Sequence, residues 1–127
     1  MTDWVLDSSA VLADMNDEPG GDVARAIRTE ACVSAVNAAE VVGKLIELGM
    51  APDEAGARFD LYGCDVIEAD GARAIAAGRL HAVTHRTGVS LGDRFCLALA
   101  MERGLPVLTG DRRWKTLDLG IEVRLIR

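Results

Sequence analysis

With 127 residues, half of them hydrophobic, the chain has the length of one domain and enough apolar mass for a core, so residues 1–127 are expected to fold as a single unit. No apolar run reaches the ~18–20 residues that a membrane span needs, and the start MTDWVLDSS carries Asp3 and Asp7 without the basic region of a signal peptide, so a cytoplasmic protein is expected. The net charge of −6 argues against a general nucleic-acid binder, but it is uneven: residues 1–85 hold 6 Lys and Arg against 15 Asp and Glu, whereas residues 86–127 hold 8 against 5, leaving room for a local basic surface.

In chain order, WVLD (4–7) reads as a short apolar strand ending in Asp7. VARAIRTE (23–30) reads as a helix with Asp22 as its N-cap after the Gly20–Gly21 break. ACVSA (31–35) is a second strand. VNAAEVVGKLIELG (36–49) is a helix with Val41, Val42, Leu45 and Ile46 on one face and Gly49 as its stop. PDEAGARFDLY (52–62) opens with Pro at a first helical position and acids in the first turn. CDVIEA (64–69) is a third strand, GARAIAAGRLHAVTHRTG (71–88) a helix, and SLGDRFCLALAMERG (90–104) another that ends at Gly104. PVLT (106–109) and IEVRLI (121–126) complete five strands. Cys32, Cys64 and Cys96 form no CxxC pair and read as small apolar residues.

Strands alternating with helices predict an α/β three-layer sandwich, with a mostly parallel five-stranded sheet flanked by helices. Ligands of such sheets sit beyond the carboxyl ends of the strands, where the strand order reverses. Asp7 closes the first strand, and Asp111 lies just past the fourth. If those strands are neighbours, both acids point into one crevice. Glu40, in the second turn of the helix after strand 2, and Asp93, in the first turn of the helix before strand 4, map to the same edge.

Each acid also has a local explanation. Asp7 and Asp111 suit turns. SLGD (90–93) matches a capping box with Ser90 as N-cap, which by itself accounts for Asp93. Glu40 sits among Ala38, Ala39, Val41 and Val42, so apolar surroundings are expected, where a carboxylate is costly unless paired or metal-bound. Together the four are more specific. Clustered carboxylates repel, a divalent cation relieves the repulsion, and an all-oxygen set without His or Cys suits Mg²⁺ or Mn²⁺ better than zinc. Such ions favour phosphate substrates, and phosphodiester hydrolysis follows.

VLDSSAVLA (5–13), VSAVNAAEVVGKL (33–45), VSLGDRFCLALA (89–100) and PVLTGDRRW (106–114) resemble, in order and spacing, the PIN-domain ribonucleases, specifically the VapC-type toxins of bacterial toxin–antitoxin pairs. The resemblance covers nearly the whole chain. It implies that Asp7, Glu40, Asp93 and Asp111 bind one or two Mg²⁺ or Mn²⁺ ions, with Ser8 or Ser9 and Thr109 as polar support. It implies an endoribonuclease that cuts transfer RNA or another structured RNA, leaving 5′-phosphate and 3′-hydroxyl ends. It also implies a homodimer, or a higher toxin–antitoxin assembly, with an antitoxin whose C-terminal tail blocks the site. Arg94, Arg112, Arg113 and Lys115 are candidates to hold the RNA backbone, against ordinary solvated charge.

The rival readings are a phosphoacceptor or aspartate-nucleophile phosphatase and a non-catalytic binding module. The phosphatase wants a second Asp where Ser9 stands; the phosphoacceptor wants paired acids at strand 1 and a Lys after a late strand, which WVLDSS and VLTGDRR lack. The HAVTH stretch (81–85) has Ala82 where the zinc-protease motif has Glu. Trp4 and Trp114 could stack on bases but suit burial against the sheet. Ile46, Leu48, Met50, Phe59, Leu61 and Tyr62 suit core, a dimer surface or a groove for a partner helix.

Overall fold

A computed structural model describes residues 2–127. The sheet has five strands, β1 (Trp4–Leu6), β2 (Ala31–Ser34), β3 (Asp65–Ile67), β4 (Val107–Thr109) and β5 (Val123–Leu125), in the order β3-β2-β1-β4-β5. Every pairing is parallel. The strands are those expected, trimmed by one to three residues at their ends.

Register explains the core. Val5 stands beside Cys32 and Val107, so Leu6 stands beside Val33 and Leu108. Alternation sends these two rows to opposite faces. Val5, Cys32 and Val107 pack under α5 (Gly71–Arg79) and α7 (Leu91–Arg103). Leu6, Val33 and Leu108 pack under α1 (Ser8–Met15), α3 (Ala35–Glu47) and α4 (Pro52–Asp60). Three layers with an all-parallel sheet result, and the short apolar strands are buried on both faces, as such sheets require. Trp114, fully buried, closes the α7 side from a 3₁₀ turn at Arg112–Thr116.

Several elements differ from expectation. SSAVLADM forms α1, a helix that no expected element covers. The next helix, α2 (Gly21–Ile27), begins earlier than expected and is preceded by Gly20 at φ 88° instead of an Asp22 cap. A side chain at Gly21 would overlap the backbone of Ala13 and Asp14, so this glycine lets α1 and α2 approach. The expected long helix over 71–88 breaks at Leu80 into α5 and α6 (His81–Thr84). Of the apolar surface in question, Phe59 and Tyr62 are core, whereas Ile46, Leu48 and Leu61 are exposed. Among the described residues no helix is long and apolar enough to cross a membrane.

Candidate active site

β1 and β4 are neighbours. They lie where the chain's path across the sheet reverses: β2 and β3 extend one way from β1, and β4 and β5 the other. Asp7 follows Leu6 and is the residue before α1, so its side chain emerges at the carboxyl edge of the central strand. It shares the face of Val5, and Thr109 that of Val107, by the period-2 rule. The two meet: Thr109 Oγ1 donates to Asp7 Oδ2 at 2.7 Å, and Ser9 Oγ donates to the same oxygen at 2.7 Å. Ser9 in turn accepts from the Gly110 N–H at 2.9 Å, and Thr109 from the Asp111 N–H at 3.0 Å. Of the two serines it is Ser9 whose hydroxyl serves Asp7.

Asp7 is 3% exposed, and its second oxygen, Oδ1, is buried without a hydrogen-bond partner. Burial pushes its carboxyl up to about 6; the Ser9 and Thr109 hydroxyls oppose the rise, and the charge of Asp93 adds to it. An anionic oxygen held out of water with nothing to neutralise it needs an explanation.

The other acids stand around this edge in different states. Ser90 caps α7: its hydroxyl accepts from the Asp93 N–H at 3.1 Å, and Asp93 Oδ2 accepts from the Ser90 N–H at 3.0 Å. The capping box is therefore present, and it takes one oxygen of Asp93. Glu40 is exposed, which corrects the expectation of apolar surroundings: the second turn of α3 opens to solvent beside α7. Its Oε1 accepts from Asn37 Nδ2 at 2.8 Å, and the same amide reaches the Gly92 carbonyl at 3.0 Å. A side chain at Gly92 would overlap the Glu40 carboxylate, so glycine is what admits Glu40 to the start of α7. Cys96, one turn on, has its thiol pushed well up by burial and then by the charges of Asp7, Asp93, Cys32 and Glu40. Three of the four acids thus act on one buried atom.

Asp111 is turned elsewhere. Arg113 grips it side-on, Nε to Oδ1 at 3.0 Å and Nη2 to Oδ2 at 2.7 Å, and this hydrogen-bonded pairing holds the Asp111 carboxyl below the usual range. Arg94, half-buried, donates from Nη1 to the Ala77 carbonyl of α5 at 3.4 Å. Arg112 and Lys115 are exposed beside Trp114. Trp4 lies under the Arg124 guanidinium, 5.1 Å from ring centroid to Cζ.

Among the described residues no three His, Cys, Asp or Glu side chains come together closely enough to hold a metal ion between them. The donor set still fits a hard divalent cation. Mg²⁺ is commonly bound through one or two carboxylates, with waters and phosphate oxygens supplying the rest. Asp7 Oδ1 is one fixed, unpartnered anionic oxygen, and Glu40 and Asp93 are surface carboxylates with an oxygen to spare. Asn37, fully buried and holding both Glu40 and α7, is the site residue that sequence reasoning missed. Its signal was a polar residue three positions before Glu40, on the same helical face.

Comparison with known proteins bears on the family and the fold. The PIN domain family model matches residues 4–119. A curated relative, "Ribonuclease VapC" of Mycolicibacterium smegmatis, is 29% identical over 125 residues, covering 91% of this chain and 96% of the relative. The fold is similar to that in the crystal structure of DNA-bound VapBC from Salmonella typhimurium, with a TM-score of 0.76, 22% identity and full coverage of both chains. It is also similar to VapBC-5 of Mycobacterium tuberculosis, with a TM-score of 0.58, 24% identity and 98% coverage of each chain.

Proposed function

The chain belongs to the PIN domain family, and from that premise we propose that it is a divalent-metal-dependent endoribonuclease toxin, acting in the cytoplasm and neutralised by a cognate antitoxin. The observation that carries the reading is Asp7: a buried carboxylate at the carboxyl end of the central strand, with one oxygen held by Ser9 and Thr109 and the other unpartnered. The ribonuclease relative supports RNA as the substrate, and the VapBC complexes among the similar structures support an antitoxin partner.

Asp7, Glu40 and Asp93 are the carboxylates that would hold Mg²⁺ or Mn²⁺. When bound, the cation polarises a phosphoryl oxygen and acidifies water. The remaining chemistry belongs to the chain. Ser9 and Thr109 keep Oδ2 of Asp7 satisfied, which fixes the carboxylate and leaves the buried Oδ1 as its unpartnered oxygen. Asn37 holds Glu40 by Oε1, and Oε2 is the oxygen that can take a proton from attacking water. Arg112, Arg113 and Lys115 provide positive charge on the adjoining turn for the RNA backbone. Transfer RNA or another structured RNA is the proposed substrate class. The exposed Ile46, Leu48 and Leu61 are the surface proposed for a homodimer or the antitoxin.

The test is incubation of antitoxin-free protein with total bacterial RNA in Mg²⁺, Mn²⁺ or EDTA, beside Asp7→Asn and Asp93→Asn. The expected outcome is discrete, metal-requiring cleavage that falls at least ~100-fold in each variant, the scale of losing a principal electrostatic group. The capping box at Asp93 and the Arg113 pair at Asp111 favour a second reading, a binding module whose acids are caps and turns. No cutting by a folded wild type, with no response to metal, would select it; equal cutting by wild type and both variants would mean a contaminant or a site that uses neither acid.

A further inference from the structure

Resting on the nuclease reading, we infer that Asp111 is a positioning residue and not a cation ligand: it holds Arg113 at the rim of the acid cluster, where Arg113 binds a phosphate of the RNA. Both Asp111 oxygens are occupied by the guanidinium, and Oδ1 also accepts the Arg113 backbone N–H at 3.0 Å. A bidentate pair between residues two apart is the geometry in which even a partly exposed ion pair is strong, because little side-chain freedom is lost.

The loop before α7 makes the same point independently. Gly88 has φ 75°, and a side chain there would lie 2.8 Å from Arg113 Nη1. The guanidinium therefore lies close to the loop ahead of α7 as well as on the turn after β4, and the charge of Asp93 acts on it. Trp114, fully buried, anchors the next residue, so the turn that carries Arg113 is fixed from below. Thr109 ties the arrangement to the centre: it donates to Asp7 and accepts from the Asp111 N–H.

The pair fixes the direction of the guanidinium and leaves part of its donor set free. A guanidinium has five N–H donors; Nε and one N–H of Nη2 serve Asp111, and those left on Nη1 and Nη2 remain for a phosphate.

The experiment compares wild type with Arg113→Ala, Arg113→Lys, Asp111→Asn and Asp93→Asn, circular dichroism checking the fold of each. Two readouts are taken that do not depend on turnover: the rise in Tm caused by Mn²⁺, and the salt dependence of binding to a total transfer RNA fraction in EDTA. Asp111→Asn is expected to keep the Mn²⁺ response within about twofold in apparent affinity, while Asp93→Asn loses it. Arg113→Ala is expected to lower the slope of log affinity against log salt by roughly one phosphate contact. Asp111→Asn should lower it too, and a further variant carrying both Asp111→Asn and Arg113→Ala should do no worse than Arg113→Ala, as for residues acting as one unit. Arg113→Lys should restore the slope only in part, lacking the planar fork. Loss of the Mn²⁺ response in Asp111→Asn makes Asp111 a cation ligand and overturns the inference. So does an Arg113→Ala variant with an unchanged salt slope or tighter Mn²⁺ binding, which would make Arg113 a plug. If wild type neither responds to Mn²⁺ nor cuts RNA, the nuclease reading fails first and takes the inference with it.

Discussion

Asp7 is held at a cost. Its folded carboxyl sits at about 6, above the ordinary 3.8, because burial outweighs the two hydroxyl hydrogen bonds. The native state therefore binds this proton more tightly than the unfolded chain does. Stability from this group is fully present below the unfolded value and is lost as pH rises through the folded one. A shift of that size corresponds to an order of 3 kcal/mol once the group is ionised. Asp7→Asn removes the charge while keeping the shape. In EDTA at pH 7.5 it is expected to melt several degrees above wild type, with the gap narrowing as the pH falls toward ~4, and with Mg²⁺ or Mn²⁺ present to cleave RNA at least ~100-fold less than wild type. Thermal melts over that pH range check it. A variant less stable than wild type at every pH would mean that Asp7 is satisfied by contacts other than those of Ser9 and Thr109.

At the level of the element, the start of α7 does two jobs that can be separated. Ser90 caps the helix, and Gly92 leaves room for Glu40. Ser90→Ala should cost about 1 kcal/mol, a normal cap loss, and reduce cleavage only modestly. Gly92→Ala should behave in the opposite way. Glu40 is exposed and can swing aside, and alanine is the better helix former, so the melting temperature should stay within the equivalent of ~1 kcal/mol. Cleavage should nevertheless fall at least ~10-fold, since Glu40 loses its place. Melting curves and an RNA-cutting assay on the two variants read both jobs. Elements such as α7 were legible because Ser90 and Gly104 mark its ends and its caps are local chemistry. By contrast, α1 was not: Ala10, Val11, Ala13 and Met15 are all buried, and so is Asp14, held by Arg25 at 2.8 Å, so no polar face alternates with an apolar one. The break at Leu80 falls two residues after Gly78, and a lone glycine inside a helical pattern does not by itself mark an end. Glu40 was placed on the right helix but in the wrong surroundings, because flanking apolar residues do not reveal which face a helix turns to its neighbour. Gly92 and Asn37 matter only through contacts made across the fold, which spacing along the chain does not reveal.

The whole molecule gathers the acids because all its strands run one way. A parallel sheet sets every strand's carboxyl end on one edge, and the reversal between β1 and β4 opens a crevice there. That much followed from the alternation of elements alone; that β1 and β4 are neighbours was a condition which the fold then met. The consequence is a site that is electrostatically unfinished. Asp7, Glu40 and Asp93 share an edge, and the rim guanidinium of Arg113 is already paired with Asp111. A cation binding there should stabilise the native state by mass action, by about 2.7 kcal/mol at a hundredfold excess over its dissociation constant. It must also displace the proton from Asp7. Mn²⁺ is therefore expected to raise the melting temperature strongly at pH 7.5 and weakly at pH 5, where Asp7 is mostly protonated, with EDTA reversing the effect and Asp7→Asn abolishing it. Ca²⁺, larger and tolerant of irregular oxygen sets, makes a useful comparison. Titration of each ion against the thermal melt at the two pH values measures this directly. A response of equal size at both would show that the ion binds without Asp7, and the buried oxygen would need a different occupant.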